Sequence, residues 1–396
     1  MYRETGKKLG LRSLKMMLVL GSVIFLGGCG NLNPMSWFSE DTEPPAELTE
    51  IEAELTVRID WSVNVGNGQG DRFLQLTPAI DGGVIYAASD NGDVVAVNTA
   101  NGEVIWRTRT RELISGAVGA GNGLVMYGTP TAEVVALNQD DGSELWRASV
   151  TSEVLSPPKT NGDVVVVQTV DDKLVAMDAE SGQRRWIYET TLPTLTLRGT
   201  NTPVFVEDTV IAGFSNGTLI SVAADNGIWN WDARVAVPEG RYDIERVIDV
   251  DGQLMVEGNT VFASSYQGNL MAFDAETGRV VWGMEASSYH GPDTGFNNIY
   301  FTNDRGHVVA VRNNSVDIAW DNDSLDRRRV TAPRTINNYV AVADFEGYLH
   351  MLSQLDGRIV GRIRVDRNGI RANPLVYNSR LFIYGNSGRL ASVSFQ

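Results

Sequence analysis

Cysteine is almost absent from this chain: Cys29 is the only one in 396 residues. No intramolecular disulfide can form, and no Cys-x-x-Cys-His haem site can be assembled. Histidine is nearly as scarce. His290, His307 and His350 lie far apart, and no motif brings them together as a catalytic triad or a metal site. Positive charge is in deficit, with 33 Lys and Arg against 49 Asp and Glu and a formal net charge of −16. So acidic a body is a poor electrostatic match for phosphate backbones or anionic lipid, which argues against nucleic acid as a partner. The apolar run from Met16 to Leu26 is too short to cross a bilayer, which takes about 20 residues.

That run follows Arg3, Lys7, Lys8, Arg12 and Lys15 and ends in Leu26-Gly27-Gly28-Cys29. A positive start and a short apolar centre form an export signal. The closing four residues resemble the lipobox of bacterial lipoproteins, in which small residues admit the peptidase and the cysteine becomes lipidated. The resemblance implies a signal peptide over 1–28 and a lipid on Cys29; the other reading is an ordinary signal with a chance cysteine. Lipidation would also remove a lone thiol from an oxidising compartment. In that family an aspartate beside the cysteine favours the inner membrane, and Gly30-Asn31 here resembles the outer-membrane pattern. Loss of residues 1–28 removes five cations and Glu4, taking the net charge to −20.

Residues 29–54 read as a flexible acidic tether. Pro34, Pro44 and Pro45 break regular structure, and Glu40, Asp41, Glu43, Glu47, Glu50, Glu52 and Glu54 repel one another. Trp37 and Phe38 interrupt it, either as a membrane-interface contact or as bystanders. The folded body is expected over 55–396.

One pattern recurs through that body, most legibly as Asn91-Gly92-Asp93-Val94-Val95-Ala96-Val97-Asn98 followed by Asn101-Gly102-Glu103-Val104-Ile105-Trp106. The fourteen-residue offset from Gly92 to Trp106 also links Ala132 to Trp146, Asp172 to Trp186, Gly217 to Trp231, Gly268 to Trp282 and Gly306 to Trp320. A further copy runs from Gly347 to Gly361, with glycine in place of tryptophan. Each copy has apolar runs of strand length separated by turn residues. Asn91-Gly92 predicts a type I′ hairpin with two positive φ values. Ala96, Ala136, Ala176, Ala272 and Ala310 share a site where a small side chain lets sheets approach. Gly102, Gly142, Gly182, Gly227, Gly278 and Gly357 mark a second turn.

Four short strands repeating at about forty residues match the blade of a β-propeller. Trp61 has no first half ahead of it, while Ser387-Gly388-Arg389-Leu390-Ala391-Ser392-Val393 begins a copy that the chain end cuts short. The two fragments complement each other, so the strand around Ile59-Asp60-Trp61-Ser62 should complete the last blade. The expected fold is all-β: an eight-bladed propeller of four-stranded antiparallel blades, closed by pairing an N-terminal strand with the C-terminal blade. Trp61, Trp106, Trp146, Trp186, Trp231, Trp282 and Trp320 are expected to wedge between blades, each N–H finding a backbone carbonyl; an aromatic ligand site is the rival role.

The segment Ala272-Phe273-Asp274-Ala275-Glu276-Thr277-Gly278-Arg279-Val280-Val281-Trp282 resembles the tryptophan-docking motif of the pyrroloquinoline-quinone (PQQ) propeller superfamily, with looser copies at 176–186 and 96–106. Lipobox, acidic tether and length together resemble the BamB family of outer-membrane lipoproteins in the β-barrel assembly machinery. That resemblance implies a non-catalytic scaffold on the periplasmic side of the outer membrane, binding the POTRA region of BamA and supporting insertion of outer-membrane proteins, with nascent clients as further partners. Leu192-Pro193-Thr194-Leu195-Thr196-Leu197-Arg198-Gly199 resembles the family's BamA-contacting loop, which implies contact roles for Leu195, Leu197 and Arg198. The stretch 243–251 resembles a second contact segment, implying the same for Asp249 and Asp251.

Spacing singles out the same segments. Successive tryptophan-type sites lie 45, 40, 40, 45, 51, 38 and 41 residues apart. Extra residues between Trp186 and Trp231, and between Trp231 and Trp282, fall at one stage of consecutive repeats and should emerge side by side. The other 45-residue interval, from Trp61 to Trp106, shows that length alone is not diagnostic. Leu195-Thr196-Leu197 equally suits an inner strand, and Asp249 and Asp251 either meet cations of a partner or hold Arg198.

The rival reading is a PQQ-dependent dehydrogenase. Enzymes of that kind are much longer and commonly carry a vicinal cysteine disulfide, for which this chain has no cysteine pair, so neither cofactor nor catalysis is expected. A third reading, a carbohydrate- or peptidoglycan-binding propeller, would use Tyr289 and Trp229 for stacking. Asp321-Asn322-Asp323-Ser324 lacks the glycine and glutamate of an EF-hand and reads as an exposed turn rather than a metal loop. Arg327-Arg328-Arg329 reads as a solvated turn, with steering of an acidic partner as the alternative.

Overall fold

Each repeat folds as a meander because its apolar runs are only strand-long and the residues between them accept turn geometry. In the computed structural model, which describes residues 43–396, the first full repeat forms β2 (Ala79–Asp81), β3 (Val84–Ala88), β4 (Asp93–Asn98) and β5 (Val104–Arg109), hydrogen-bonded in that order. Blades II to VII repeat it over residues 119–149, 159–189, 204–234, 255–285, 293–322 and 334–364. Blade VIII takes β30 (Leu375–Tyr377), β31 (Arg380–Tyr384) and β32 (Arg389–Phe395) from the end of the chain and β1 (Val57–Asn64) from its beginning. β1 and β32 pair antiparallel from Val57 opposite Phe395 to Asn64 opposite Arg389, closing an eight-bladed β-propeller. The expected signal peptide, Cys29 and most of the expected tether lie outside the described residues. No helix among the described residues is long and apolar enough to cross a membrane.

The hairpin turns differ from expectation. Gly92 is left-handed at φ 95° but Asn91 is not, and Ser89 N–H bonds Asp93 O at 2.9 Å. This is a type I-like turn closed by one left-handed residue, not type I′; its extra residue gives the strands their twist without a second positive φ. Ala132 and Asp172 take the same left-handed place at φ 62°.

The repeated alanine has a specific neighbour. Ala96, Ala136, Ala176, Ala272 and Ala310 each sit directly across the sheet from the tryptophan of their own blade. Ser221 faces Trp231 and Ser392 faces Trp61. A small residue there leaves room for the indole to lie flat and reach the next blade. Indole N–H groups of Trp61, Trp106, Trp146, Trp186, Trp231 and Trp320 donate to the backbone carbonyls of Thr99, Gln139, Ala179, Ala224, Ala275 and Gln354 at 2.9–3.2 Å. Trp282 donates instead to Asn313 Oδ1 at 3.2 Å. The glycine of the receiving turn is required twice over: Gly227 is left-handed at φ 71°, and a Cβ there would lie 2.7 Å from the Trp186 ring.

Blade VII is the exception that closure explains. Blade VIII has no turn between β32 and β1, only Thr56 and Gln396 exchanging backbone hydrogen bonds at 3.0 and 3.3 Å. No receiving turn exists there for an indole. Gly361 stands in its place, Met351 replaces the small residue across from it, and Leu55 and Val57 come within 3.1 Å of where a Cβ would be.

The same region corrects the tether boundary. Ala46 N–H donates to Asp326 O, Arg328 and Arg362 donate to the carbonyls of Ala46 and Thr49, and Glu54 and Leu55 both donate to Val360 O. Leu48 packs into the apolar cluster of blades VI and VII. Residues 46–54 are therefore a strap on the propeller, not flexible chain. Their carboxylates mislead because backbone bonds and one leucine hold the segment while the acids face water.

Candidate partner-binding face

Antiparallel strands send every connection between blades, and every turn between second and third strands, to one face of the propeller. Three of those connections are long: 65–78, from β1 to β2, 190–203, from β13 (Arg184–Glu189) to β14 (Val204–Val206), and 235–254, from β17 (Trp229–Arg234) to β18 (Met255–Glu257). The last two lie side by side. Asp249 accepts the Leu197 N–H, and the Asp251 carboxylate sits against Gly199, where a Cβ would lie 2.2 Å from its Oδ2.

Leu195, Leu197 and Arg198 all lie in loop, so the inner-strand reading falls. Leu195 is 42% exposed, Leu192 beside it 46% exposed, and Leu197 is half-buried at an axial cavity of about 410 Å³. Arg198 pairs with neither aspartate; both its bonds to a carboxylate go to Glu153, at 3.0 Å, and Nη1 reaches Arg72 O at 3.4 Å. Asp249 is 1% exposed and so cannot itself meet a partner's cation; its role is to hold the loop. Burial, with Asp172 adding repulsion, pushes Asp249 up to about 7 despite the Leu197 N–H. Asp251 is likewise held well above the usual carboxylate range by burial and by Asp249 and Asp172. Asp172 is raised by burial, against hydrogen bonds from Ser215, Thr190 and Gln168.

Around the cavity, burial lowers Lys159 and holds His290 at about 4, leaving that imidazole neutral at pH 7. Arg334 donates to Gln253 Oε1 at 2.9 Å. His350 bonds the Asp344 carboxylate at 2.9 Å in a buried cluster of blade VII. Among the described residues no three His, Cys, Asp or Glu side chains converge as a metal site, and Asn322 closes its own turn onto Ser324 at 3.0 Å. Trp229 and Tyr289 stand at opposite ends of the strands and form no common sugar platform. The arginine triplet is not a solvated turn: Arg328 is buried against Asp344 at 2.8 Å.

Several residues of this face escaped the sequence reading. Val237, Tyr242 and Ile244 are 60–68% exposed in the longer loop, where a short 3-10 turn spans Asp243–Arg246. Apolar residues inside an insertion were the available signal. Glu153 and Arg72, which hold Arg198, carry no local signal, because their role depends on loops over 40 residues away.

Ring, docking tryptophans and adjacent long loops define a class: a PQQ-like β-propeller whose exposed chemistry lies in its connections. The family model described as outer membrane protein assembly factor BamB matches residues 53–126 and 110–322. BamB of Pseudomonas aeruginosa is 50% identical over 89% of this chain and 93% of that protein. BamB of Escherichia coli K12 is 32% identical over 96% and 99%. The crystal structure of BamB from Moraxella catarrhalis superposes with a TM-score of 0.78 at 28% identity, covering 86% of this chain and all of that one. The chain belongs to the BamB family, whose relatives are named as assembly factors, not enzymes. Quinohemoprotein alcohol dehydrogenase of Comamonas testosteroni shares the fold alone, with a TM-score of 0.70 at 13% identity over 85% of this chain and 76% of that one.

Proposed function

We propose that this protein is a non-catalytic scaffold of the outer-membrane β-barrel assembly machinery, held to the periplasmic side of the outer membrane by a lipid on Cys29. Its loops 190–203 and 235–254 bind the POTRA region of BamA and so support insertion of outer-membrane proteins. Family membership supports the role in assembly. The observation that carries the binding site is the exposed Leu192–Leu195 ridge beside an ion-paired Arg198, braced from below by Asp249. An apolar anchor beside an arginine on a rigid support is the composition of an interface hot spot. The two aspartates act as positioning residues, since one is buried and the other is turned against Gly199.

Co-purification of BamA with the lipidated full chain tests this. Leu195→Ala and Arg198→Glu should each weaken capture by about tenfold or more, a loss of 1.4 kcal/mol or above. Unfolding midpoints should stay near wild type. Undiminished capture of BamA by both variants removes the site assignment.

A further inference from the structure

A second cleft opens on the same face, of about 390 Å³, between the connection 65–78 and those leading into blades VI, VII and VIII. Its walls are apolar: the rings of Phe73 and Tyr289 with Leu74 and Val330. Its rim is basic, with Arg327, Arg329 and Arg371 against the single carboxylate of Asp304. This concentration of cations stands out in a chain of net charge −16.

The cleft is built rather than incidental. Phe73 is 77% exposed and left-handed at φ 55°, and Arg327 and Arg329 are left-handed at φ 57° and 48°. L-residues with side chains of that size resist this conformation by about 1–2 kcal/mol each, and such strain gathers at binding sites. Arg328 between them is buried against Asp344, while Arg327 and Arg329 line the cleft. Arg371, fixed by Gly70 O at 2.9 Å, lies 5.3 Å over the Phe73 ring and holds it upright by a cation–π contact. Tyr289 is fixed by stacking on Tyr266 at 5.2 Å and by donating to Asp304 O at 3.1 Å. Among the described residues neither Arg329 nor Arg371 has a carboxylate within ion-pair distance, whereas Arg327 is paired with Asp326 at 3.4 Å.

We propose that this cleft binds an acidic segment of a partner polypeptide, taking one aromatic or aliphatic side chain between Phe73 and Tyr289 and the flanking carboxylates on Arg329 and Arg371. Positive rim and apolar walls together select this ligand. A phosphate or lipid headgroup would use the arginines and leave the two rings uncovered. The site shares only the lip at Phe73–Gln75 and Tyr289–His290 with the axial cavity, and none of its lining residues lies in loop 190–203, whose one bond toward it runs from Arg198 to Arg72 O at 3.4 Å.

The test is fluorescence anisotropy with the detergent-solubilised full chain and a fluorescein-labelled Asp-Glu-Phe-Asp-Glu peptide. Saturable binding that weakens with salt is expected, falling by about tenfold in Arg329→Glu, in Phe73→Ala and when alanine replaces the peptide's phenylalanine. Leu195→Ala should leave it unchanged, which separates this site from the proposed BamA contact. Circular dichroism of each variant checks the fold. Absence of saturation, indifference to Arg329→Glu, equal binding of the alanine peptide, or loss with Leu195→Ala would each overturn the proposal. Equal displacement by inorganic phosphate or phosphatidylglycerol vesicles would do so too, by making it a headgroup site.

Discussion

Asp249 is ionisable, almost wholly buried, and satisfied on one oxygen only: Oδ2 accepts from Leu197 N–H, while Oδ1 has no protein partner. Replacing it with asparagine keeps the shape and the acceptor but removes the charge. Burial raises the carboxyl from 3.8 to about 7. The folded state thus holds a proton that the unfolded chain has released between those two values, and stability falls as pH climbs from about 4 to about 7, then levels. Three units correspond to about 4 kcal/mol at most, since each is worth about 1.4 kcal/mol. Asp249→Asn should therefore match wild type at pH 4 and exceed it by about 2–4 kcal/mol at pH 8, where Asp172 and Asp251 also gain from losing a neighbouring charge. Urea unfolding followed by tryptophan fluorescence from pH 4 to 8.5 measures the difference. Parallel curves for the two proteins, or a less stable variant at pH 8, would refute the placement of an ionised carboxylate at this loop junction.

Two further substitutions probe the ring. Trp186→Ala removes an indole seated on Gly227 and its bond to Ala224 O, and should cost roughly 3–5 kcal/mol, read from the urea midpoint. Gly361→Trp restores the repeat motif and should nonetheless destabilise by about 1–3 kcal/mol, because Leu55, Val57 and Met351 already fill that space. Faster proteolysis within residues 46–56 should accompany it.

Fold class was legible because a repeat declares itself many times over. A fixed offset of fourteen residues between turn and tryptophan survives variation in any single copy, and two incomplete ends imply their own pairing. Turn type was less legible, since Asn91-Gly92 permits two positive φ values and the hairpin uses one. The strap over 46–54 was hidden by its acidic composition, which reports what faces water and is silent on backbone bonding.

The candidate site divides along the same line. That two insertions at one stage of neighbouring repeats meet on one face follows from antiparallel order alone, and their residues are countable in the chain. Which groups then pair does not follow. Arg198 goes to Glu153 rather than to the aspartates, and Asp249 is buried rather than offered.

Local periodicity, carried by side-chain alternation and turn residues within some forty positions, determined the number of blades, their strands and the point of closure. Contacts between connections are set by the curvature of the finished ring, which brings together residues from separate repeats that no short-range pattern links. Burial, charge pairing and the strap beside Gly361 were therefore decided only when all eight blades were in place.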